Sequence, residues 1–250
     1  FAMNAHSRDD AVTPPSETAP AEPTGSWWQF SLRTMLIAVT LVALVFGLWI
    51  VPAERQRQIV EDLQSRQVNV DYYRTKDEEE NRSWIDDFLP LDYLRAPTGM
   101  NLLAMDCTAA DLELCGKLPS LRALWFSSTT LRDDDLEPLT KLTSREELYI
   151  DAERLTPAGL ATVARMKSLR SLRLRISPPA WRGMRQLAAL PAIEEFDLDK
   201  MEDSGLEFLP EFPRLRTLRL YMTNVSGARI EAITRYPQLE MLDLSYTDID

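Results

Sequence analysis

Six side chains suited to gripping a partner recur along the second half of this chain at nearly constant spacing. They are Trp125, Tyr149, Arg173, Asp197, Arg219 and Asp243, separated by steps of 24, 24, 24, 22 and 24 residues. Large amphipathic rings and fork-shaped guanidiniums are residue types found at interface hot spots. Nothing in the series could activate a nucleophile, and the rest of the chain adds little reactive chemistry. The one histidine, His6, stands in a tail rich in Pro, Ser and Thr, and neither Cys107 nor Cys115 has a histidine partner. Only 8 glycines are present, and no phosphate-cradling glycine loop occurs. Asp133-Asp134-Asp135 could suggest a cation site, but it lacks the ligand spacing and glycine of a calcium loop. It also stands where a helix would begin, a place that favours acidic residues anyway. The expectation is a protein that binds rather than catalyses, without cofactor or metal.

The elements that must position these residues are repeats. Leu121, Leu124 and Phe126 return as Arg145/Leu148/Ile150, Leu169/Leu172/Leu174, Ile193/Phe196/Leu198, Leu215/Leu218/Leu220 and Leu239/Leu242/Leu244. Six copies in register are the signature of a repeat array. Each short alternating run is followed by apolar residues with helical or 3₁₀ spacing: Leu136/Leu139/Leu142, Leu160/Val163/Met166, Met184/Leu187/Leu190, Leu206/Leu209/Phe212 and Ile230/Ile233/Tyr236. A strand and helix of this size cannot bury their apolar faces alone, whereas stacked copies share one continuous core. In a parallel ladder the residues between the anchors point to one face. That places the six side chains above in a row, flanked by Asp151, Arg175, Asp199 and Tyr221. Arg173, Asp197, Arg219 and Asp243 alternate in sign, which fits either cross-strand pairs each contributing under about 1 kcal/mol or a recognition surface. Trp125 and Tyr149 lean toward recognition, because large exposed aromatics need a reason.

Over residues 118–250 the pattern L-x-x-L-x-L-x-x-N/C-x-L resembles the leucine-rich repeat family. The resemblance implies an α/β solenoid, with parallel strands on the concave face and short helices on the convex face. It also implies a protein or peptide ligand on the concave face, held by Trp125, Tyr149, Arg173, Arg175, Asp197, Arg219, Tyr221 and Asp243. The alternative is a scaffolding envelope protein that assembles through its repeats. The usual Asn/Cys position is taken by Thr129, Glu153, Ser177, Met201, Thr223 and Thr247. The hydroxyls there could satisfy buried backbone groups; Glu153 and Met201 depart from the pattern in their two turns.

The 250 residues carry a net charge of −11, which argues against a nucleic-acid partner. Cys107 and Cys115 are open to two readings, a short disulfide or buried free thiols. Residues 1–29 read as a disordered tail, with Pro14, Pro15, Pro20 and Pro23 among small polar residues. Residues 30–52 read as a transmembrane helix. The eighteen residues 34–51 hold no charge, and Trp27, Trp28 and Trp49 stand near its ends. A signal peptide cleaved near Ala53 is the rival, but the long acidic lead-in favours an uncleaved signal anchor. Phe30-Ser31-Leu32-Arg33-Thr34-Met35 resembles the anchors of some bacterial membrane-tethered repeat proteins. Arg55 and Arg57 against Arg33 slightly favour cytoplasmic repeats, while the resemblance to signal anchors favours a cell-membrane protein with extracytoplasmic repeats. Residues 53–66 read as a polar stalk and 67–117 as a cap, with Met100/Leu103/Met105 in the strand frame. The first residue is Phe1, and Asp250 stands where a helix cap would fall. A fragment whose repeats continue past Asp250 is therefore expected.

Overall fold

The computed structural model describes residues 31–45, 47–48, 51–66, 68–71, 97–226, 233 and 235–247. The expected tail and residues 72–96 of the expected cap lie outside the described residues. The chain divides into two compact units, Phe1–Leu44 and Val45–Asp250.

In the first unit, Ser31 Oγ accepts from the Thr34 N–H at 3.3 Å and opens helix α1, Leu32–Val45. Its apolar side chains from Leu32 to Leu44 are exposed. Among the described residues no helix is long and apolar enough to cross a membrane. Helix α1 has 14 residues, and residues 30, 46, 49 and 50 of the expected span lie outside the described residues.

The second unit is built on an eight-stranded sheet whose spatial order follows the chain, β1 to β8. Strands β1 (Asn69–Asp71) and β2 (Gly99–Asp106) pair antiparallel. The others pair parallel with their neighbours: β3 (Ala123–Ser128), β4 (Glu147–Ala152), β5 (Ser171–Ile176), β6 (Glu195–Asp199), β7 (Thr217–Tyr221) and β8 (Met241–Asp243). The register is the one the anchors imply: Leu124, Leu148, Leu172, Phe196, Leu218 and Leu242 stand side by side. Between strands run helix α3 (Ala109–Cys115), a 3₁₀ helix (Asp133–Lys141), α4 (Pro157–Val163) and α5 (Pro178–Trp181) leading into a second 3₁₀ helix (Arg182–Ala189). A third 3₁₀ helix spans Asp203–Phe208. Their anchors Leu136, Leu139, Leu160, Val163, Met184, Leu187 and Leu206 are buried in one continuous core with the strand anchors. This is the α/β solenoid that the resemblance implies.

Two devices lock repeat to repeat. One carbonyl just before each strand takes two N–H groups from the next repeat; Arg122 O, for example, accepts from Glu146 at 2.8 Å and Glu147 at 2.9 Å. Asp133 likewise reaches the following repeat, accepting from the Thr156 N–H at 2.8 Å. Thr156 in turn caps α4, with Pro157 in its first turn. The helical halves stack so closely that a Cβ on Gly183 would lie 2.6 Å from the Pro157 Cα, leaving room for glycine alone.

Three sequence expectations need correction. Met100 pairs with Leu124 and Leu102 with Phe126, so the frame in β2 is shifted from the expected Met100/Leu103/Met105, and Leu103 is exposed. Helix α2 (Val51–Ser65) is not a purely polar stalk. Val60 and Leu63 are buried in the core, and Arg66 just beyond the helix meets the buried Asp111 carboxylate of α3 at 2.9 Å. The third correction concerns the Asn/Cys position. Thr129 and Glu153 are exposed, and the inward residues of β3–β5 are Ser128, Ala152 and Ile176, one place earlier. In β6–β8 a left-handed residue at Lys200, Met222 or Tyr246 (φ 55°, 51° and 58°) breaks the alternation. Met201 and Thr223 then fill the inward place.

Ser128 takes over the asparagine's task in its repeat. Its Oγ donates to the Cys107 carbonyl at 2.6 Å and accepts from the N–H groups of Thr130 and Leu131, both at 3.2 Å. Ser128→Ala should cost about 1–3 kcal/mol in chemical denaturation, because buried backbone groups lose their partner. Ser177→Ala, which removes no capping bond, should stay within about 0.5 kcal/mol.

Candidate functional site

The face of the sheet away from the helices carries the expected row in register: Asn101, Trp125, Tyr149, Arg173, Asp197, Arg219 and Asp243, each paired with the next. Over β2–β7 this face forms an open depression of about 450 Å³, with Trp125, Tyr149, Asp197 and Arg219 in its lining.

The aromatics are half-buried and already engaged. The Trp125 Nε1–H donates to Glu147 Oε1 at 2.8 Å. The Arg173 guanidinium lies 4.8 Å from the Tyr149 ring centroid, a cation–π contact. Burial, followed by the nearby Asp199 and Asp151 carboxylates, raises the Tyr149 hydroxyl pKa above its usual value. Trp125 and Tyr149 thus form a fixed platform.

The straight alternation read in the sequence holds for Arg219 and Asp197, which are direct register partners, and fails for Arg173 and Asp243. Arg173 reaches diagonally to Asp199, with Nε at 2.9 Å and Nη2 at 2.8 Å from Oδ2. The Tyr149 hydroxyl lies 3.5 Å from the same oxygen. Arg219 turns back to both oxygens of Asp197 at 3.2 Å and to Glu195 at 3.4 Å. Arg175 meets Asp151 at 3.2 Å. Asp243 accepts from the Ser245 N–H and hydroxyl, which lowers its pKa. Tyr221 packs edge-on against Tyr246 with ring centroids 5.2 Å apart, away from Trp125. Long side chains can also reach diagonal neighbours, so a row-by-row reading misassigns the partner of Arg173.

The strictly alternating row lies one position outside each strand. Arg122 pairs with Glu146 at 3.6 Å, Arg170 with Glu194 at 3.0 Å and Arg216 with Glu240 at 2.9 Å. These pairs are exposed and contribute little each.

The two cysteines are free and buried. Burial raises both thiol pKa values, that of Cys115 to about 12, so neither is a thiolate near neutral pH. Among the described residues no group of His, Cys, Asp and Glu is arranged to hold a metal ion. Asp133 and Asp135 serve backbone N–H groups of Thr156 and Arg132.

Fold and face together define an α/β repeat solenoid with parallel strands on one face, the architecture that the resemblance to leucine-rich repeats implies. No protein-family model and no curated protein matches the chain. Among solved structures, an internalin from Listeria monocytogenes aligns at 17% identity with a TM-score of 0.34. The alignment covers 56% of this chain and 52% of the internalin, about half of each. The assignment of class rests on the register of the strands and not on that alignment.

Proposed function

We propose that this chain is a membrane-tethered recognition module whose repeats hold a protein or peptide against the open face of the sheet. The observation that carries the reading is the platform of Trp125 and Tyr149, side by side in register above a depression of about 450 Å³. Rigid half-buried aromatics beside arginines supply contact area with little ordering cost, and such residues dominate binding energy at interfaces. Capture from a lysate by the wild-type chain, compared with Trp125→Ala/Tyr149→Ala, tests it. Loss of a partner in the double variant supports the face. Equal capture of every partner by both forms sinks it.

Tethering is supported by the uncharged run at 34–51 and its flanking tryptophans, with the repeats placed outside the cytoplasm. The chain should stay in the membrane fraction through an alkaline wash. Release by high salt alone, or a mature N-terminus at Glu54, would contradict an uncleaved anchor.

A second reading, self-assembly through the repeats, draws on exposed apolar side chains around β8: Met222, Met241, Leu242 and Tyr246, the last 77% exposed. Capture of further copies of this chain alone would favour it.

A further inference from the structure

The open face holds more carboxylate than its arginines neutralise. Around the platform stand Glu147, Glu195, Asp197 and Asp199, against the guanidiniums of Arg173 and Arg219. Arg173 is committed to Asp199, and Arg219 is shared between Asp197 and Glu195. Glu147 receives only the Trp125 indole N–H, with no cation within ion-pair distance among the described residues.

We propose that the depression beside Trp125 takes the lysine or arginine side chain of an extended peptide segment. The cation would lie against the indole ring and between the carboxylates of Glu147 and Glu195. This rests on the recognition reading and specifies its partner.

Four observations support it independently of net charge. An indole ring next to a carboxylate is a favourable pairing for an ammonium or guanidinium, combining cation–π attraction with a charge-assisted hydrogen bond. Tyr149 already shows the arrangement internally, with Arg173 over its ring. No such cation covers Trp125 among the described residues. Beside the platform, Asp199 is only 7% exposed and its Oδ1 has no hydrogen-bond partner among the described residues, a local shortage of donors. Burial also raises the Asp197 pKa above its usual value in spite of Arg219, so an added positive charge would relieve it. The overall charge of −11 would steer a cationic partner toward the chain and disfavour an acidic one.

The test uses the full chain and a random peptide library, selected on wild type and counter-selected on Trp125→Ala/Tyr149→Ala. Selected peptides should be enriched in Lys or Arg. Replacing that residue by Gln, or using Glu147→Gln/Glu195→Gln protein of unchanged denaturation midpoint, should weaken binding about tenfold. High salt should weaken it similarly. Peptides that need Trp125 yet carry no Lys or Arg, or prefer Asp or Glu, would overturn the cationic partner and leave the recognition face standing. Failure to select any peptide, or selection only of peptides indifferent to the double variant, would overturn both.

Discussion

Replacing Arg145 by leucine should raise the stability of the repeat array by about 2–4 kcal/mol. Arg145 occupies the first anchor of its repeat, where the other copies have Leu121, Leu169, Ile193, Leu215 and Leu239. The backbone frame treats it as one of them: its side chain is 0% exposed. Among the described residues, none of its Nε, Nη1 and Nη2 has a hydrogen-bond partner. A guanidinium stripped of water and given no partner carries its desolvation cost uncompensated, and burial lowers its pKa to about 10. The nearby Cys115 opposes that shift but does not cancel it. Below about 10 both folded and unfolded chains carry the charge, so the whole penalty is present at neutral pH. Above about 10 the folded chain releases the proton before the unfolded one, and this residue's contribution improves as pH rises. Arg145→Leu should remove the penalty and its pH dependence together. Chemical denaturation at neutral pH reads the gain directly, and a melting point higher by roughly 5–15 °C should accompany it. A leucine variant less stable than wild type would show that the guanidinium is satisfied in solution.

Alanine at Trp125 or Tyr149 should each weaken the captured partner by at least about 2 kcal/mol, near thirtyfold in affinity, while leaving the fold intact. The selectivity follows from where the side chains sit. Both are outside the core, so truncation opens no cavity behind the strand anchors Leu124 and Leu148, which are fully buried beneath. Both are held in place, Trp125 by Glu147 and Tyr149 by Arg173, so little entropy is lost when a partner covers them. Arg175, already paired with Asp151 and 43% exposed at its side chain, should behave as a rim residue whose removal costs under about 1 kcal/mol. Titration calorimetry on the three variants separates platform from rim.

How much of this was legible in the sequence depended on what each feature requires. The strand anchors were readable because a register held over six copies overdetermines the frame. The helical halves were readable because burial of Leu136, Leu160, Met184 and Leu206 forces their spacing. The inward position after each strand was not readable. It turns on a left-handed φ at Lys200, Met222 and Tyr246, residue types that do not announce one as glycine would. Ser128 was missed for the opposite reason: the alternation of β3 runs on unbroken to it, whereas the family frame pointed one place further on. Helix α2 hid its docking face in two residues, Val60 and Leu63, too few for a periodic signal. The row of the site was legible in full and so was the Arg219–Asp197 pair within it; the partner of Arg173 was not, because its long side chain reaches diagonally to the buried Asp199.

The central claim is that recognition happens on the open face of the sheet. Hydroxyl-radical footprinting of the captured complex measures it most directly, by comparing side-chain labelling in free and bound chain. The account predicts that Trp125 and Tyr149 lose labelling on binding while exposed side chains of the opposite, helical face, such as Arg165 and Lys141, keep theirs. Unchanged labelling at Trp125 and Tyr149, with protection confined to the helical face, would contradict it.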